Sequence, residues 1–311
     1  MNYSYIKTDG EILQLIKIWK VQNIQQIAMD FECESNLHCY GEHLCLVQIY
    51  DGNNFFLVDT LEKKVTNTGL KPLLESKDIQ KIWFDCSFDA NLLWKKHKIK
   101  ICNVYDLFRE ATTLGIKGGL SFMVQKYVLQ SEENQVKKEE ANFKEKTSKK
   151  RFQQANWMKR PISPEQIEYA LSDVKHLFEL KKILDNMAKE RNLLDEIIKG
   201  MEILPHLKTS KKPGYIKLPG YKRMNYQQKT YARYFFEVWD NTAKIYNWPP
   251  FWVLNKYVIT DFAKKIPYES MEKLFFQRNK SGERKKTDEQ EKRLLQNLIL
   301  AKEKADKEIN K

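Results

Sequence analysis

The sequence predicts an α/β domain followed by a smaller all-helical one. Three observations point there. Apolar runs that read as buried strands lead into carboxylates or helices in the first two hundred residues. A basic stretch with Pro205, Pro213, Gly214, Pro219 and Gly220 interrupts the pattern over about residues 205–225. Beyond it, apolar residues recur at helical spacing. A length of 311 residues fits two domains at the usual ~100–200 residues each, and 42% hydrophobic residues can fill two cores.

The first strand is Ile27-Ala28-Met29-Asp30-Phe31-Glu32, and strand alternation puts Asp30 and Glu32 on one face. Two adjacent carboxylates repel unless a cation sits between them. The run from Lys81 to Asp89 reads as a buried strand entering a helix, with Ser87 the expected N-cap and Asp89 in the first turn, where the helix dipole favours an acid. From Pro164 to Leu184 the apolar spacing is helical, so Tyr169 and Asp173, at i and i+4, share a face. A phenol and a carboxylate can then address one centre.

Four acids and a tyrosine so arranged suit phosphodiester hydrolysis, in which two divalent cations roughly 4 Å apart clamp the attacking and leaving oxygens. Mg²⁺ and Mn²⁺ are hard ions that choose oxygen ligands, so carboxylates suffice. Tyrosine, with an ordinary pKa of about 10, serves better as positioner of a water than as base. Singly, each motif has an ordinary structural explanation: a solvated strand end, a helix cap, a core tyrosine.

Together and in this order they resemble the DEDD exonucleases, in the branch whose last motif is Tyr-x-x-x-Asp, and most closely the ribonuclease D family. Cys45-Leu46-Val47-Gln48-Ile49 and Phe56-Leu57-Val58-Asp59 look like that family's next two strands. Asn156-Trp157, Arg160-Pro161-Ile162-Ser163, Gln166, Tyr169-Ala170 and Asp173-Val174 look like the surroundings of its third motif. The resemblance spans about residues 1–204 and implies a ribonuclease H-like mixed β-sheet flanked by helices. It further implies that Asp30, Glu32, Asp89 and Asp173 bind two divalent cations, that Tyr169 orients the water, and that Asp106 has a supporting role. The family is departed from at Phe31, where threonine is common, at Phe84, where histidine is common, and at Asn156, where aspartate is usual. None of these is a metal ligand.

Between about residues 130 and 149 the chain carries a polar insertion of mixed charge, ending in Lys149-Lys150-Arg151-Phe152-Gln153. Phe31, Lys150, Phe152 and Gln153 are the expected substrate contacts. The chain has 54 Lys+Arg against 41 Asp+Glu, a net charge of +13, and a pI near 9.2, which suits attraction to a phosphate backbone. Positive charge gathers at Lys208, Lys211, Lys212, Lys217, Lys222, Arg223, Lys229 and Arg233, so residues 205–225 read as a basic linker. Residues 226–280 resemble an HRDC domain by the spacing of Trp239, Thr242-Ala243, Val253-Leu254, Pro267 and Leu274, although Asp240 replaces an arginine that often follows the tryptophan. Pro249-Pro250 stops its first helix, a second runs from Asn255 to Lys265, and Ser270 caps a third. Residues 281–311 read as a charged terminal helix or tail.

Cys33, Cys39 and Cys45 with His38 and His43 crowd one stretch, but their gaps exceed the two to four residues usual between paired zinc ligands. Five cysteines, with no apolar N-terminal segment, point to a reducing cytoplasmic compartment. Nothing approaches the roughly 18–20 apolar residues of a membrane span, and a Walker-type loop is absent. The expectation is a metal-dependent 3′ to 5′ exoribonuclease that trims RNA 3′ ends, with precursor tRNA or small structured RNA implied by the resemblance. Two alternatives are a Werner-type DNA exonuclease and a non-catalytic RNA-binding protein of the same fold.

Overall fold

Six strands, β1 (Tyr3–Ile6), β2 (Gln26–Ser35), β3 (Glu42–Tyr50), β4 (Phe55–Asp59), β5 (Gln80–Trp83) and β6 (Val104–Asp106), form one sheet ordered β1-β4-β3-β2-β5-β6. The sheet is mixed: β3 and β4 run antiparallel, whereas β1–β4, β2–β5 and β5–β6 are parallel pairs. The computed structural model describes residues 1–129, 151–202, 213–266 and 268–311. They divide into two compact units, the first Met1–Glu34 with His43–Lys208 and the second Ser35–Glu42 with Thr209–Lys311. The insertion at 130–149, Lys150, residues 205–212 of the expected linker and Pro267 lie outside the described residues.

Helices cover both faces of the sheet. On one face α1 (Asp9–Val21), α2 (Asn67–Leu74) and α3 (Ser87–His97) supply Ile12, Leu15, Trp19, Leu70, Leu73, Leu92 and Leu93, which pack on Ile27, Met29 and Phe31 of β2. On the other, α4 (Leu107–Thr113), α6 (Pro164–Lys175) and α7 (Leu177–Glu190) bring Leu107, Ala111, Val174, Leu177 and Leu180 against Ala28 and Ile82, after a short α5 (Leu120–Met123) and before α8 (Leu194–Glu202). Ala28, Asp30 and Glu32 therefore share this second face, by strand alternation. Each large side chain so buried contributes about 2 kcal/mol. Over Pro164–Leu184, where the apolar spacing is helical, the chain forms two helices that meet at His176. The apolar spacing continues across the break, so periodicity cannot reveal it.

The second unit is helical: α9 (Tyr226–Tyr246), α10 (Pro250–Val253), α11 (Lys256–Lys265), α12 (Met271–Gln277) and α13 (Asp288–Ile309). The N-terminus of α9 is closed by a capping box of Asn225 and Gln228, and that of α13 by Thr287 and Gln290. Ser270 caps α12, accepting from the Lys273 N–H at 3.2 Å. Asn247, left-handed at φ 50°, ends α9 two residues before the proline pair.

One boundary differs from the sequence expectation. Residues 213–225 are no linker: Leu218 and Met224 are buried in the second unit's core beside Tyr215 and Tyr221, and the Thr260 hydroxyl donates to the Pro219 carbonyl at 3.1 Å. Within 281–311 the expected charged helix is α13, and its Leu294, Leu298, Ala301 and Ala305 are buried in that same core. Arg233 pairs with Glu308 at 2.5 Å, and the Tyr231 hydroxyl donates to Asp306. In both stretches sparse apolar residues among many charges hide a buried face. Among the described residues no helix is long and apolar enough to cross a membrane.

Candidate active site

Asp30 and Glu32 leave β2 at adjacent same-face positions, and α6 brings Asp173 to them: one carboxylate oxygen from each of the three lies within 4.8 Å of the others. Glu32 is 9% exposed. Burial pushes its carboxyl well above the usual range, and the charges of Asp30, Asp173 and Asp89 push it further. Asp89 is not among the carboxylates that meet within 4.8 Å, although its charge is felt at Glu32. Its own carboxyl is raised to about 8 by burial, aided by Asp85 and Asp106 and opposed by a hydrogen bond from Trp83.

Tyr169 stands one helical turn before Asp173 on α6, and the charges of Asp173, Glu32 and Asp30 are felt at its hydroxyl. Burial raises its phenol far above the ordinary value, and Asp173 adds to that, so it stays a neutral hydroxyl. Phe152 stacks on its ring at 5.1 Å between centroids, and Trp157 lies tilted at 6.4 Å. The Trp157 indole N–H donates to the Phe152 carbonyl at 3.1 Å, and the Arg151 guanidinium stands 5.5 Å from the Phe152 ring. Phe152 is therefore beside the site, half-buried, while Gln153 is exposed. Phe31, expected to touch substrate, is turned the other way. It is 7% exposed and packs edge-to-face on Trp83 at 4.7 Å, because it alternates with its acidic neighbours.

Two anchors deliver the helices. For α6 the anchor is Arg160, which donates to both oxygens of Asp59 at 2.5 and 2.6 Å and to the Cys45 and Trp157 carbonyls at 2.8 and 2.7 Å. The Tyr5 hydroxyl also donates to Asp59, at 2.7 Å. Burial would raise the Asp59 carboxyl, but the Arg160 and Tyr5 hydrogen bonds outweigh it and hold it below the usual range. Three residues on, Ser163 and Gln166 form a capping box, with Pro164 opening the helix.

For α3 the anchor is Asp106. Fully buried, it accepts the backbone N–H of Asp85 at 2.9 Å, of Cys86 at 3.1 Å and of Phe108 at 2.9 Å. It so caps α4 and holds the β5–α3 turn, in which Asp85 is left-handed at φ 60°. Cys86 occupies the N-cap position without a side-chain bond, so Ser87 is the first helical residue and not the cap. Asp89 remains in the first turn, 7% exposed, and its Oδ2 accepts the Trp83 indole N–H at 3.1 Å. Sequence reasoning missed that donor, although a tryptophan at a buried strand end carries an N–H that needs a partner.

The donor set fits hard divalent cations. Asp30, Glu32 and Asp173 bring carboxylate oxygens within 4.8 Å of one another, and a divalent cation among them would relieve their repulsion. Among the described residues no Cys/His group lies at metal-ligating distances, and the acidic trio is the group that does.

A family model described as "3'-5' exonuclease" matches residues 3–189. The chain belongs to this family. Its curated relatives include the exosome complex exonuclease RRP6 of Saccharomyces cerevisiae, 25% identical over 195 residues, which are 62% of this chain and 24% of that protein. Ribonuclease D of Xanthomonas oryzae pv. oryzae is 29% identical over 165 residues, 53% of this chain and 41% of that one. The chain thus matches about a quarter to two-fifths of these relatives' lengths. Among solved structures, Escherichia coli RNase D matches at a TM-score of 0.72 and 19% identity, over 98% of this chain and 76% of that one. The catalytic core of RRP6 from Trypanosoma brucei gives 0.72 and 22%, over 98% and 80%. Both share the ribonuclease H-like mixed sheet with its flanking helices.

Proposed function

We propose that this 3′-5′ exonuclease is a metal-dependent exoribonuclease that releases nucleoside 5′-monophosphates from RNA ends, with precursor tRNA or small structured RNA as substrates. The observation that carries this reading is the convergence of Asp30, Glu32 and Asp173 within 4.8 Å, with Tyr169 one helical turn before Asp173. Asp30, Glu32, Asp89 and Asp173 would hold two Mg²⁺ or Mn²⁺ ions. When bound, these ions neutralise charge on the phosphate and make water a better nucleophile. The residues themselves do the rest. Tyr169, kept neutral, orients a water through its hydroxyl. Phe152 and Trp157 hold the phenol ring and exclude solvent from one side of it. The names of the relatives favour RNA, and Phe152 beside the site offers a surface on which a terminal base can stack.

The second unit, whose helical part at 226–280 resembles an HRDC module, would hold the RNA backbone. Residues 213–236 contain Lys217, Lys222, Arg223, Lys229 and Arg233 and no Asp or Glu, and Lys222 and Arg223 are exposed.

The test is incubation with a 3′-extended tRNA and a DNA strand of matched sequence, with Mg²⁺, Mn²⁺ or EDTA, resolving products at single nucleotides. Metal-dependent laddering from the RNA 3′ end, abolished in a folded Asp89→Ala variant, is expected. Preference for DNA would move the protein to the DNA exonucleases. Binding without product at any metal concentration would make it an RNA-binding protein.

A further inference from the structure

Asp89 is joined to the Asp30/Glu32 pair by a route on the far side of β2. Phe31 stands between the two acids in sequence and turns its ring into the core, where it meets Trp83 edge-to-face at 4.7 Å and 77°. Trp83 is fully buried, and its indole N–H donates to Asp89 Oδ2 at 3.1 Å. A buried indole N–H and a buried carboxylate each need a partner, and here they satisfy one another. Resting on the reading that these carboxylates hold divalent cations, we propose that Trp83 is a positioning residue for Asp89. Its N–H engages one carboxylate oxygen, so that Asp89 offers a cation the other, and the Phe31–Trp83 contact sets that oxygen relative to Asp30 and Glu32. Partners that orient metal ligands in this way are typically worth about 10–100-fold in metal affinity or activity.

The first unit supplies its own control. Trp19 is likewise fully buried, donates its indole N–H to a carboxylate, Asp51 Oδ2 at 3.0 Å, and packs edge-to-face on a phenylalanine, Phe56 at 5.7 Å. Asp51 is not one of the site acids. Trp83→Phe and Trp19→Phe remove equivalent donors and leave an aromatic ring in place.

The experiment reads both variants in two ways. In protein labelled with 5-fluorotryptophan, the ¹⁹F resonance missing from Trp83→Phe is expected to shift as Mg²⁺ is added to the wild type, and the one missing from Trp19→Phe to stay. In RNA hydrolysis, Trp83→Phe is expected to raise the Mg²⁺ concentration for half-maximal rate and to lower kcat by about tenfold, with KM for RNA unchanged. Trp19→Phe should lower Tm comparably and keep the wild-type Mg²⁺ dependence. A Trp83 resonance indifferent to Mg²⁺, or a Mg²⁺ dependence the same in both variants, would overturn the proposal. Should Trp83→Phe not fold, Trp83→Tyr serves for assignment and kinetics. A wild type whose Trp83 resonance responds to Mg²⁺ but which degrades no RNA would defeat the exoribonuclease reading and leave this proposal standing.

Discussion

The strand-borne acids and the helix-borne acids of the site are held by different means. Asp30 and Glu32 ride β2, a strand covered by core side chains on both faces, so sheet pairing fixes them. Asp89 and Asp173 ride helices, which can slide or tilt on the sheet, and each of those helices is pinned near its first turn. Asp106 and Trp83 serve α3, while Arg160 with the Ser163 capping box serves α6. Acids on helices need a chain of supporting contacts where acids on a strand need only register.

The comparison breaks most severely at the strand. Asp30→Asn should cut kcat by about a thousandfold or more, since several kcal/mol of charge stabilisation depend on the ligand set. The same variant should raise the Tm of metal-free protein, because it removes a charge that opposes Glu32. A lower metal-free Tm would mean that Asp30 has a structural partner outweighing the repulsion.

Arg160→Ala should act through α6 alone. It leaves Asp59, whose side chain is 2% exposed, without its bidentate partner, at a cost of about 3 kcal/mol in urea unfolding. Arg160→Lys should recover only part, since an ammonium cannot fork onto both oxygens. Equal stability of the Lys variant and the wild type would remove the anchor from the account.

The clustered acids also set a dependence on pH. The folded protein without metal keeps protons on Glu32 and Asp89 that the unfolded chain would release near pH 4. Stability of the metal-free form must then fall as pH rises from about 4 toward about 8, the value for Asp89. Mg²⁺ takes the place of those protons, so the Tm gained on adding it should be larger at pH 8.5 than at pH 6. A gain independent of pH would show that the acids are already ionised at pH 6. The smallest effect is Ser163→Ala, about 1 kcal/mol from the lost N-cap, with the KM for RNA rising in step if α6 truly carries part of the site.

The convergence of Asp30, Glu32 and Asp173 was legible because its signals are local: i, i+2 on a strand and an acid on an amphipathic helix. The anchors were not. Arg160 and Asp59 are 101 residues apart, and the Asp85–Asp106 contact spans 21, separations at which no periodicity speaks. Trp83 and Phe31 sat in plain view within quoted motifs, but an apolar run reads as core whichever atom its donor reaches. Residues 213–225 were misread for the opposite reason. Their charges are local and conspicuous, and the few buried side chains that place them in a core are spread thinly among them.

The second unit takes Ser35–Glu42 from between β2 and β3. In it the Tyr40 hydroxyl donates to Asp240 at 2.9 Å, and the Tyr40 N–H to Asn247 Oδ1 at 3.2 Å, across 200 and 207 residues of chain. Such a unit is discontinuous in synthesis as well as in sequence. Its first eight residues emerge early and must wait for α9, some two hundred residues later, before they find their partners. Contacts of that span make folding slow, and at translation rates of about 5–20 residues per second the wait is at least ten seconds or so. During it the tip of the β2–β3 connection is exposed to chaperones and proteases, and a fragment cut anywhere before α9 would never bury it.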